Sequence, residues 1–479
     1  MVTGLQDRLC IAVASALLLS VGCNIIDEGV TPAQPDAGEE LDAEPTPDAE
    51  TPDADRPEPD ASDDASTPDP DASPDPDVEP DTGPDCDNLE CLLPECTDQT
   101  TSLIGQVTLP SGSVGVPGVD VYVPNAPLDP VPEGAVCETC PGLTGQPLIH
   151  TTTGLDGIFR LEDLPAGEEI PLVISIGRWR REHLLSLDPC ADHELDPDLG
   201  RLPRNSDEGH IPKMAVVTSQ WDTLECMLRS MGIDDQEFGG ADSSARIHLF
   251  QGRTGATEFT QDHGGEGILL APEWWTDADN LSPYDLLLYG CEGNQHPEDK
   301  GEEAQAAFWE YVESGGRVLL NHWQNYWIQD PELSEELEAD WTSSGVPNPS
   351  PGVVNTDFEA GEALFDWLVS MDLLDTAGRF PIFDARSTLG SIGEELTNIW
   401  VTVTTGPHVR PASIDFATPV NTPAEEQCGR VIFGDLHASP DNQSSGAVPF
   451  PDRCSVDELS TQELVLLFQL FELTRCEPH

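Results

Sequence analysis

The chain has 479 residues, enough for two or three domains, and a net charge of −70. Residues 26–100 hold 26 acidic side chains against one basic one, Arg56, and residues 101–479 still carry 63 acidic and 18 basic groups. A field of that sign repels phosphate backbones and argues against nucleic acid as a partner. It fits a strongly solvated surface, with an acidic face for divalent cations as the alternative.

Residues 1–22 contain an apolar core from Leu9 to Leu19 that is too short to span a bilayer, ending in Ser20-Val21-Gly22-Cys23. The segment resembles a bacterial lipoprotein signal. That resemblance implies that Cys23 becomes the lipidated first residue of an exported protein anchored in the cell envelope, at the outer membrane. Ser20 departs from the branched aliphatic residue usual there, and a plain signal peptide cut nearby is the alternative. Residues 23–85 read as a tether: proline and aspartate alternate with almost nothing apolar to bury, so the segment is expected to be extended and disordered. Residues 86–100 form a junction with cysteines at 86, 91 and 96. Three thiols without histidine read as disulfides pinning the tether to the first domain rather than as a metal knot. Once Cys10 and Cys23 are set aside, eleven cysteines remain; outside the cytoplasm they are expected to pair, with at least one left free.

Residues 101–200 read as a small all-β sandwich: "SLIGQVTLP", "GVDVYVPN", "GIFRLEDLP" and "IPLVISIGRW" are short apolar runs punctuated by Gly and Pro. The order Gly105-x-Val107, Gly118-Val119-x-Val121-x-Val123, Thr153-x3-Gly157-x-Phe159-x-Leu161 and Leu164-Pro165-Ala166-Gly167 resembles a carboxypeptidase regulatory-like domain, a transthyretin-like sandwich. The resemblance implies a spacer or binding module rather than a catalyst. An insertion carries Cys137 and Cys140, for which a disulfide role is expected over redox or zinc chemistry.

Residues 211–479 alternate strands and helices: "KMAVVTSQWDTLECMLRSMGI", "ARIHLF", "YDLLLYG", "EEAQAAFWEYVESGG", "RVLLNHW", "EAGEALFDWLVSM", "TNIWVTV", "GRVIFGDLH" and "STQELVLLFQLFEL". The expected fold is a three-layer α/β domain with a mainly parallel sheet. In such sheets ligands gather at the carboxyl ends of strands. Three ends carry polar residues: Cys291-Glu292, Asn321-His322, and Asp435 with His437. Cys291, Glu292, His322 and His437 are therefore the catalytic candidates. Trp274, Trp275, Trp323, Tyr326 and Trp327, with Asn321 and Asp435, are the binding candidates, core packing being the other reading of the aromatics. The acidic stretch after Cys291 is expected to raise its thiol pKa, which favours a buried or bridged cysteine over a nucleophile. Cys226 is expected to be core or bridged, with one bridge among Cys428, Cys454 and Cys476.

The order "YDLLLYGC…AFWEYVESGGRVLLNHW…CGRVIFGDLH" resembles the class I glutamine amidotransferase-like fold of the trehalose-utilisation type, over residues 211–475. In that fold the nucleophilic cysteine sits on the elbow after the strand matching "RVLLN", where this chain has Asn321 and His322. His437 matches the late histidine, but Ser439 stands where an acid is expected, so glutaminase activity is not expected. The whole chain resembles a family of bacterial lipoproteins without established activity. The tryptophan synthase α-chain label sometimes given to its relatives implies a TIM barrel, for which eight βα units are lacking. The leading expectation is a lipoprotein presenting a face to a carbohydrate, peptide or envelope protein, with no cofactor or metal ligand set assigned. The alternative is an exported hydrolase or carbohydrate-processing enzyme using His322, His437 and nearby carboxylates, with or without a metal. Convergence of these groups would favour the enzyme; an aromatic-lined concavity would favour the binding module.

Overall fold

The computed structural model describes residues 86, 88–137, 142–438 and 448–475. The expected signal peptide, Cys23, the tether, Cys140, Ser439 and Cys476 lie outside the described residues. Asp81–His479 cluster as one compact unit. Among the described residues no helix is long and apolar enough to cross a membrane.

The first part is all β. Strands β1 (Ser102–Gln106), β2 (Asp120–Pro124), β3 (Pro147–Thr152), β4 (Ile158–Leu161), β5 (Gly167–Ile176), β6 (Trp179–Leu187) and β7 (Asp192–Glu194) form two sheets, β4-β1-β7 and β3-β2-β5-β6. In β4 the side chains alternate so that Phe159 and Leu161 turn inward while Ile158 and Arg160 stay exposed. Residues from both sheets, among them Leu103, Val121, Phe159, Leu172, Ile174 and Leu187, are buried and join one apolar cluster.

The second part is built on β8 (Met214–Thr218), β9 (Phe238–Gly239), β10 (Ile247–Gln251), β11 (Leu286–Tyr289), β12 (Arg317–Asn321), β13 (Asp340–Trp341), β14 (Ser350–Val354), β15 (Arg379–Ile382), β16 (Leu389–Ser391), β17 (Asn398–Thr405), β18 (His408–Thr418) and β19 (Gly429–Gly434). Ten of these make one sheet in the order β15-β14-β17-β18-β19-β12-β11-β8-β10-β9. Pairing is parallel from β19 to β9 and antiparallel from β15 to β19. The sheet is thus mixed rather than mainly parallel, because the β17–β18 hairpin, turning at Gly406 with φ +59°, adds long antiparallel strands beside β19.

Strands β8, β11, β12 and β19 are buried along their whole length, as sequences read without alternation require. Val216, Leu288, Leu319 and Ile432 share a cluster with the last helix, Thr461–Thr474. Val217, Leu287, Leu320 and Phe433 share the opposite one with Phe308, Tyr311 and Val312 of helix Glu302–Glu313. Helix Thr461–Thr474 opens with a capping box, Ser460 and Glu463, and is buried all round. Its outer side meets the β-rich part: Trp179 packs edge-on against Phe471 at 5.9 Å, and Gly177 abuts Thr474. Buried Arg178 pairs with buried Asp285 across the same seam.

Disulfides join Cys86 to Cys91, Cys96 to Cys190, Cys137 to Cys428 and Cys226 to Cys454. Cys428 and Cys454 are therefore not bridged to each other; each reaches back across the fold to a cysteine far earlier in the chain. Cys291 is the free cysteine among the described residues, and it is buried.

Candidate functional site

Parallel strands β8, β11, β12 and β19 end along one rim, and each contributes to a buried polar cluster. After β11 the chain passes Gly290 to Cys291. After the end of β12, His322 opens the 3-10 turn His322–Ile328 with a left-handed φ of +50°, a backbone state that non-glycine residues rarely take. That bend brings His322 Nδ1 to 3.1 Å from Cys291 Sγ. His437, two residues beyond Asp435 on the exit of β19, brings its ring centroid to 5.2 Å from that of His322. Ligand-capable atoms of Cys291, His322 and His437 all lie within 4.8 Å of one another, and all three residues are buried.

Asp222, on the exit of β8, ties this rim together. Its carboxylate accepts hydrogen bonds from the Cys291 amide (3.0 Å), the Asn321 side-chain amide (2.8 Å) and the Ala438 amide (2.7 Å). Ser219 donates its hydroxyl to the Cys291 carbonyl. The Gly293 amide points at the Cys291 sulfur (3.4 Å), and so does that of Trp323. Asp222, Ser219 and Arg386 escape the sequence reading, although "VVTSQWD" is also a strand end and obeys the same rule as the other three.

Burial sets the electrostatics. It pushes the Cys291 thiol up to about 12, with the Asp222 carboxylate adding to the effect. It pushes His322 down to about 2, helped by His437 and Arg386, and His437 down to about 3, helped by Arg386. Both imidazoles are neutral at physiological pH and keep a lone pair for a proton or a metal. A thiol that high beside an imidazole that low keeps its proton, so the pair is not a standing thiolate–imidazolium. Burial also lifts Asp222 to about 7. The guanidinium of exposed Arg386 acts on Cys291, His322 and His437 alike.

The remaining candidates fall elsewhere. Glu292 does not join the cluster: its carboxylate is engaged by Lys300 Nζ (2.8 Å), Gln324 Nε2 (3.1 Å) and the Arg253 amide (2.7 Å). Asp435 accepts from the Thr388 amide and hydroxyl and anchors the loop before β16. Asn321 serves Asp222. Trp274, Trp275 and Trp327 are core residues, not a platform: Trp274 stacks on Phe250 at 3.8 Å, Trp327 on Phe308 at 4.9 Å, and Trp275 is fully enclosed. Trp323 is half-buried beside His322 (4.6 Å between centroids), and Tyr326 lines an outer groove of about 600 Å³ with Trp309, Glu313 and Asp330.

No protein-family model matches the sequence, and no curated protein matches it. Among solved structures, one described as a ThuA-like protein from Bacteroides uniformis is similar at 12% identity and a TM-score of 0.31, over 56% of this chain and 90% of that one. A cohesin–X-dockerin complex from Acetivibrio cellulolyticus is similar at 15% identity and a TM-score of 0.15, over 31% of this chain and 88% of that one.

Proposed function

We propose that this is an exported, lipid-anchored envelope protein whose α/β part, of the class I glutamine amidotransferase-like type, is a hydrolase centred on Cys291, His322 and His437. The observation that carries the reading is the convergence of a free thiol and two neutral imidazoles at the carboxyl ends of parallel strands. Asp222 fixes the geometry, and the field of the exposed Arg386 guanidinium reaches all three residues. The carboxypeptidase regulatory-like sandwich braces the last helix, and the tether holds both away from the membrane. The four disulfides among the described residues support an oxidising compartment. The binding-module reading loses its main support with Trp274, Trp275 and Trp327 in the core. It keeps the Trp309–Tyr326 groove.

The test uses residues 24–479 as purified protein against p-nitrophenyl acetate and a panel of p-nitrophenyl glycosides. Turnover of at least one substrate is expected, falling ~100-fold or more in His322→Ala and His437→Ala. Absence of turnover across the panel, or turnover indifferent to both substitutions in folded protein, would refute the hydrolase reading.

A further inference from the structure

We infer that Cys291, His322 and His437 form a mononuclear site for a divalent transition metal, zinc above all, with a fourth, open position that no side chain of the trio fills. The inference deepens the hydrolase reading and rests on it for what the open position does. Cys291 is then a ligand rather than the nucleophile.

Donor chemistry selects the metal class. One sulfur and two imidazole nitrogens suit zinc and its neighbours; calcium and magnesium require oxygen ligands. Spacing agrees with a small adjustment. A tetrahedral zinc with these ligands sets its donors about 3.5 Å apart. The Sγ–Nδ1 separation is 3.1 Å and no pair exceeds 4.8 Å, so closure asks for roughly an ångström of side-chain movement on the His437 side.

A second, independent observation points to a ligand. His437 Nδ1 is buried without a hydrogen-bond partner, and so is Asn321 Oδ1 beside it on the rim. A buried orphan of this kind costs about 1–3 kcal/mol, which coordination of the nitrogen removes. The surroundings are those of a held site. Asp222 fixes the backbone of Cys291, the side chain of Asn321 next to His322, and the amide of Ala438 next to His437. The amides aimed at the sulfur stabilise a thiolate. Metal binding displaces the Cys291 proton to solvent, so loading of the site releases a proton.

Two other groupings with metal-ligand spacing lack these features. In Glu225–Cys226–Cys454 both sulfurs are joined in a disulfide. In His296–Glu298–Asp299 the groups are exposed or partly so, and Asp299 is paired with Arg253.

The test loads chelator-stripped residues 24–479 with Zn²⁺ or Co²⁺ alone. A single zinc per chain is expected by elemental analysis, and Co²⁺ should give a near-ultraviolet thiolate-to-cobalt charge-transfer band. Cys291→Ser should abolish the band, and His437→Ala should weaken zinc binding by ~100-fold or more. The wild-type cobalt spectrum needs no variant, so the test survives if a substitution prevents folding. Folded wild-type protein that takes up no zinc and shows no cobalt–thiolate band overturns the inference. Ester or glycoside hydrolysis that survives complete chelation overturns the part given to the open position in that reaction while leaving the hydrolase standing. Zinc bound through Cys291 without hydrolysis of any substrate supports the site and removes the hydrolase.

Discussion

The Cys226–Cys454 disulfide offers a quantitative check on how the rim is held. It joins helix Leu224–Ser230, on the exit of β8, to the chain that returns from the rim after His437. The same two segments also meet through the buried Arg453–Glu225 ion pair and through Arg229, which donates to the carbonyls of Pro451 and Cys454. The native contacts therefore persist when the bridge is removed, and the effect falls on the unfolded chain. The bridged cysteines are 228 residues apart in sequence. Because Cys137–Cys428 still crosslinks the variant, the loop released is on the order of 100 residues, for which chain entropy gives about 5 kcal/mol. Replacing both cysteines by alanine should thus lower the unfolding free energy by ~3–5 kcal/mol in urea, followed by tryptophan fluorescence. Zn²⁺ affinity should fall as well, since the bridge anchors the chain beyond His437. A loss under ~1 kcal/mol at unchanged fold would show that this crosslink does not constrain the unfolded state as argued.

Three further outcomes are expected. Arg201 and the Arg204 amide hold Glu208 down to about 2, a depressed carboxylate whose stabilisation is complete above its unfolded pKa and lost as pH falls through about 2. Thermal unfolding between pH 5 and pH 2 should show this loss, on the order of 2–3 kcal/mol, in the wild type and not in Glu208→Gln. Trp275→Ala should cost ~3–5 kcal/mol in urea as a core cavity, and an unfolding midpoint equal to wild type would return Trp275 to the surface. Gly177→Ala places a methyl against Thr474 at a residue with φ +53°, and should cost ~1–3 kcal/mol. A neutral result there would mean that the β-rich part does not press on the last helix.

The strands that carry the rim are legible in the sequence because each is covered on both faces, which writes them as unbroken apolar runs. In the antiparallel half only β17, foretold by "TNIWVTV", is legible, while β14, β15 and β18 are not. Strand β18 contains Arg410, Pro411 and Asp415, which break any apolar run, yet Asp415 is buried against Arg430 and the Trp400 indole. Pairing satisfied in three dimensions hides a strand from a reading by hydropathy. The aromatics fail in the opposite sense: "HWQNYW" looks like an exposed platform, but a 3-10 turn sends Trp327 inward while Trp323 and Tyr326 stay near the surface.

Cys291 shows most clearly what one dimension leaves out. The sequence predicts a thiol pKa raised by the acids that follow it, and it is raised, but for other reasons. Burial comes first and the Asp222 carboxylate second, from the neighbouring strand's exit. Glu292, adjacent in sequence, is engaged instead by Lys300, Gln324 and the Arg253 amide. The groups that decide the chemistry of this sulfur, His322, His437 and Asp222, arrive from three other strand exits. Parallel strands end together at one rim, so residues far apart in the chain meet there. The useful question about such a cysteine is which strand ends it is paired with, and its immediate neighbours in sequence answer it poorly.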